Sequence, residues 1–91
     1  RRLNMRVYLV EFTSYNSFYE ILKRFNLKCY KNRDSANKYI TDEAMRYARF
    51  GFDVSIVNDG VYINTVKAKR KNTKVKVVEI YEIAVKEMEV I

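Results

Sequence analysis

The sequence predicts an α+β fold, a single small domain with a mixed, mostly antiparallel sheet of four or five strands and two helices on one face. The expected order is β-α-β-α-β-β-β. Three observations point there. Apolar residues between Ala36 and Ala48 recur at helical spacing, Arg6 to Phe12 alternates as a short strand, and Asp53 to Ile83 holds three β-rich runs parted by turn signals.

Taken in order, Arg6 to Phe12 places Val7 and Leu9 on one face and Tyr8, Val10 and Phe12 on the other, so it is expected inside the sheet. Thr13 to Asn16 interrupts it. Ser17-Phe18-Tyr19-Glu20 matches a capping box, and Phe18, Ile21, Leu22 and Phe25 follow at helical intervals up to a stop at Asn26. This predicts a first helix over Phe18 to Phe25. Leu27 to Lys31 has room only for a short edge strand.

Asn32 to Ser35 is a polar turn offering an N-cap at Asp34 or Ser35. A second helix then buries Ala36, Ile40, Ala44, Tyr47 and Ala48 and turns Lys38, Asp42, Arg46 and Arg49 outward, at spacings that let opposite charges meet. Gly51 ends it, with Phe52 folding back on the last turn.

Asp59-Gly60 signals a two-residue hairpin that pairs Asn58 with Val61, Ile56 with Ile63 and Val54 with Thr65. Val61 to Ile83 reads as a second hairpin. A four-residue loop, Lys69 to Asn72, sets Ala68 opposite Thr73 and brings Ile63 opposite Val78 and Val61 opposite Ile80 as the core face; a five-residue loop would set Ile63 against Glu79. The shorter loop is preferred. Tyr62, Val66, Val75, Val77, Tyr81 and Ile83 then fall on the opposite face. The closing AVKEMEVI fits either a strand extension or a short helix.

The chain has 91 residues, 48% of them hydrophobic and 32% charged, with a net charge of +7. One domain over residues 5–91 is expected, with Met5 as the native start and residues 1–4 an appended remnant. From Met5 onward sixteen Lys/Arg stand against eleven Asp/Glu, or +5. No run is apolar enough to span a bilayer, no signal peptide is apparent, and the single cysteine suits a reducing compartment. The expected location is the cytoplasm, without membrane contact.

Charge is unevenly placed. Six Lys/Arg lie between Lys67 and Lys76 with no acid among them, whereas Glu79 to Ile91 carries four Glu against Lys86 alone. A basic hairpin tip of this kind suits an acidic or nucleic-acid partner, and equally serves to keep sheet edges apart.

Catalytic chemistry finds no residues to run on. Histidine is absent, Cys29 lacks an imidazole partner and sits where a small buried thiol is ordinary, and two glycines cannot build a phosphate loop. The adjacent acids Asp42 and Glu43 lie on a helix side read as solvated. No enzyme activity, metal or cofactor is expected.

The candidate contact residues are Lys67, Lys69, Arg70, Lys71, Lys74 and Lys76 with Tyr8, Tyr62 and Tyr81, the tyrosines projecting from the sheet face away from Ile63 and Val78. Aromatic rings beside cations can stack single-stranded bases, and tyrosine is also common in strands and at protein interfaces.

VYLVEF near the start, SANKYI (Ser35 to Ile40) and VVEIYEI (Val77 to Ile83) resemble motifs of small phage-encoded accessory proteins of unknown role. The likeness covers about half the chain and omits the Phe18 to Lys31 stretch and the basic hairpin. It implies a non-catalytic effector that binds a host protein, with an acidic surface as target; nucleic acid is the alternative.

Overall fold

A computed structural model describes residues 5–90; the expectation for residues 1–4 lies outside them. It contains β1 (Met5–Tyr15), β2 (Ile21–Tyr30), α1 (Arg33–Arg49), β3 (Asp53–Asn58), β4 (Ile63–Asn72) and β5 (Val77–Val90). The strands form one sheet in the order β2-β1-β5-β4-β3, antiparallel at every pairing. The α+β class holds, with one helix where two were expected and no parallel pair.

The correction falls on Phe18 to Phe25. Asn16, not Ser17, governs this stretch: its side-chain oxygen accepts from the amides of Phe18 (2.9 Å) and Glu20 (3.0 Å), and its amide donates to the Glu20 carboxylate at 2.9 Å. That closes a turn. Tyr19 takes the left-handed conformation, φ 62°, and Ile21 to Tyr30 returns along β1. An eight-residue helix is marginal by itself, whereas the strand joins a ladder already present. The edge strand expected over Leu27 to Lys31 is the second half of this longer one.

The helix has its N-cap at Asn32, two residues before Asp34 and three before Ser35, where it was expected. Asn32 accepts from the amides of Asp34 (2.7 Å) and Ser35 (3.3 Å). At the other end Gly51 has φ 83° and the Phe52 amide reaches back to the Tyr47 carbonyl at 3.1 Å, the stop that the sequence predicts. The helix buries Ala36, Ile40, Ala44 and Tyr47 on Val10, Val66, Ala68, Ile83 and Val85 of the three central strands.

Both hairpin registers differ from expectation. Asp59 accepts from the Val61 amide (3.0 Å) and the Tyr62 amide (2.8 Å), so the first loop widens and Ile56 pairs with Val66, Val54 with Ala68. In the second, the turn lies four residues later, over Thr73 to Lys76, and Ala68 pairs with Tyr81, Val66 with Ile83. Charge explains the choice. The expected register would oppose Lys67 to Lys74; the observed one sets Lys67 against Glu82 and Arg70 against Glu79.

The faces are therefore exchanged. Val10, Val66 and Ile83 are 0–1% exposed beneath the helix, so the face expected to be free is the core. Val78 and Ile80, expected inside, stand on the helix-free face beside Lys71 and Lys69. The AVKEMEVI segment is strand to Val90 and pairs with β1 from end to end.

Candidate functional site

The nine candidate residues separate into four groups. Tyr81 packs half-buried against the core, its ring centroid 5.5 Å from Phe12, 5.8 Å from Tyr47 and 5.7 Å from Phe52. Tyr8 and Tyr62 share the helix-covered face and hold Arg33, whose guanidinium lies 5.5 Å from the first ring and 5.1 Å from the second.

That arginine is tied in further. Its Nη2 donates to Asn64 at 2.8 Å and to the Ile63 carbonyl at 3.4 Å, and the Tyr62 hydroxyl donates to Asp34 at 2.8 Å. The bond to Asp34 raises the Tyr62 phenol above its ordinary pKa. Together these contacts clamp the helix start to β4, so the two tyrosines hold structure where docking was expected. The expected three-tyrosine platform does not form.

Arg70 is also structural. Its Nη1 donates to the Phe50 carbonyl at 2.7 Å, Nε and Nη2 reach Glu79 at 3.1 and 2.8 Å, and the guanidinium stacks 4.3 Å from the Phe52 ring centre. It fastens the helix end to the sheet.

The remaining lysines are brought together, along a strand more than at a tip. Lys67, Lys69 and Lys71 alternate on the helix-free face of β4, about 6.7 Å apart at strand spacing, and Lys74 and Lys76 continue into the turn. Lys67 lies 3.8 Å from Glu82. Among the described residues Lys69, Lys71, Lys74 and Lys76 have no acidic partner within ion-pair distance. Farther across the same face, Glu11 receives Arg24 at 3.6 Å and Lys86 at 3.0 Å, which neutralises that side. On the helix-free face, therefore, the unpaired cations lie on β4 and its turn.

Two tyrosines that sequence reasoning passed over stand beside this row. Tyr19, 61% exposed, has its ring 5.9 Å from Lys69 Nζ and 6.1 Å from the Tyr15 ring. The Tyr15 hydroxyl donates to Glu82 at 3.3 Å. Tyr19, Lys67, Lys69 and buried Ile80 line a cleft of about 270 Å³ that also borders Asp53. A turn at Asn16 in place of a helix would have aimed Tyr19 this way, and the spacing of Asn16 and Glu20 was the available signal.

Cys29 is exposed on β2, not buried as expected. Among the described residues no three His, Cys, Asp or Glu side chains gather as metal ligands, and no helix is long and apolar enough to cross a membrane. Comparison of the chain with known protein families, with curated proteins and with solved structures finds no match.

Proposed function

We propose that this protein is a non-catalytic binding module that docks on an acidic surface of a host protein through the helix-free sheet face, in the manner that the likeness to phage accessory proteins implies. One observation carries the reading: Lys69, Lys71, Lys74 and Lys76 are held in a row without internal acidic partners, while the neighbouring Lys67 and Arg70 are paired. Four unpaired cations, two on the β4 ladder and two in the turn that follows it, speed encounter with an acidic partner and select against basic ones. The 59 Å length of the domain leaves room for the roughly 800 Å² that each side of a stable interface contributes. The setting is the bacterial cytoplasm, where such a target would be met.

The experiment is affinity capture from nuclease-treated bacterial lysate, comparing wild type with a variant in which Lys69, Lys71, Lys74 and Lys76 are all alanine. Arg70 is left intact because removing it disturbs the fold. A host protein held by wild type and lost from the variant supports the reading; equal capture by both removes the lysine row from it.

A second reading has its own support in the Tyr19 ring beside Lys69. An exposed aromatic next to free cations is the pairing that stacks bases while neutralising phosphates. Single-stranded oligonucleotide binding that weakens steeply with salt and is lost with Tyr19→Ala would favour it over the protein partner.

A further inference from the structure

We propose that the free edge of β3 pairs with the β3 of a second copy of this chain, antiparallel about a twofold axis through Ser55, so that two sheets join into one of ten strands. The sheet has two free edges, β2 and β3, and they are built differently. Strand β2 carries Lys23, Arg24 and Lys28 with no acid, and its ladder to β1 shifts register twice. Charges and bulges of this sort keep an edge from adding strands. Strand β3 is less protected: Asp53 at its start is its one charge, and its one register shift falls at its end, between Val57 and Asn58. It reads DVSIVN, holds one register from Asp53 to Val57, and leaves Ile56 45% and Val57 55% exposed.

Pairing with itself suits this edge in detail. Val54 and Ile56 lie on the helix face, opposite Ala68 and Val66, while Asp53, Ser55 and Val57 lie on the helix-free face, opposite Lys69, Lys67 and Thr65. A twofold axis normal to the sheet must join like faces. Over the five regular residues it sets Ser55 against itself, Val54 against Ile56 of the partner, and Asp53 against Val57 of the partner. No like charges meet, and each exposed Ile56 gains a valine neighbour that extends the core.

The contact is small beside the roughly 800 Å² per partner of a stable interface, which places the dimer in the weak class, with Kd between about 10 μM and 1 mM. Both helices lie on one face of the joined sheet. The two lysine rows of β4 then share the other face, three strand spacings or about 14 Å apart, and any flat acidic partner meets them in duplicate. The pairing depends on the β3 edge alone and stands whether or not the lysines bind an anion.

Sedimentation velocity from about 10 μM to about 1 mM tests it. The mass of the wild type is expected to rise from one chain to two. Ser55→Lys and Ser55→Glu, at a position exposed in the monomer, each place like charges on the axis and weaken association at least tenfold; mixing the two variants in equal amounts restores it. Amide exchange of the wild type at high concentration slows in β3. A wild type that stays monomeric throughout, variants that associate like wild type, masses growing beyond two chains, or slowing in β2 in place of β3 would each overturn the pairing.

Discussion

Arg70 and Glu79 face one another across β4 and β5, and the guanidinium that grips the Glu79 carboxylate at 2.8 and 3.1 Å also caps the helix carbonyl of Phe50 at 2.7 Å. One side chain thus joins helix end, β4 and β5. Removing it leaves the half-buried carboxylate with only the Asn72 amide at 3.5 Å and takes the side-chain donor from the Phe50 carbonyl.

Arg70→Ala is therefore expected to lower stability by about 1–2 kcal/mol, a charge-assisted network discounted for partial exposure. Lys71→Ala, one residue on but facing solvent, should stay within about 0.5 kcal/mol. Urea unfolding of the two variants, with unchanged m-value, checks the contrast.

Ile83 is 1% exposed on the central strand beneath the helix. Ile83→Ala should cost about 2–5 kcal/mol, transfer and cavity terms together. Val78→Ala, two strand positions outside the core on the helix-free face, should cost well under half as much. Thermal unfolding of both variants decides which face is the core.

Burial raises the Tyr47 phenol above its ordinary value of 10.0, and burial followed by the Glu43 charge does the same for Tyr39. A raised folded-state pKa means the unfolded chain loses its proton first. The stability these groups contribute is complete below about pH 10 and is lost as pH rises beyond it. Tyr47→Phe keeps the ring and removes the proton, so its stability should fall less steeply between about pH 10 and 12.

Asp59 titrates in the opposite sense. The Tyr62 and Val61 amides hold its carboxylate below 3.8, so its contribution is present above that value and disappears as pH falls through the lowered one. Asp59→Asn keeps an acceptor for the turn and should flatten the acid limb of the stability profile. Denaturation midpoints between about pH 2 and 6 would record the difference.

Replacing Asn16 tests what made the first hairpin. Asn16→Ala removes the acceptor of two turn amides and should cost about 1 kcal/mol. Because Tyr19 is placed by that turn, the variant should also broaden the Tyr19 ring signals in NMR while the rest of the sheet keeps its shifts.

Much of the architecture was legible. Ala36 to Tyr47 gave the helix because its small and apolar residues recur on one stripe, and Gly51 with Phe52 gave its end. Strand identities from Asp53 onward followed from alternation. Register was not legible, because the basic run matched either a loop or a strand until the acids of β5 were set against it. Glu11, Glu82 and Lys86 alternate with Val10, Ile83 and Val85, and that alternation, summed over β1 and β5, marks the core face correctly. Reading the hairpin alone reversed it. The helix expected at Phe18 failed for a related reason: local spacing fitted a helix, while the favourable partner, β1, lay behind it in the chain. Of the candidate site, the lysines were readable from charge, but which of them are free depends on cross-strand acids, and Tyr19 depends on a turn.

Strand β5 lies at the centre of the sheet, with β1 along one side and β4 along the other. During synthesis the β1–β2 hairpin and the helix with β3 and β4 are therefore two fragments lacking their shared neighbour until the stretch Val77–Val90 emerges. The β1–β5 and β4–β5 ladders both wait for it, and folding is accordingly a late, slow event in which Met5 must find Val90. Until then the apolar undersides of both fragments stand open to chaperones or to each other.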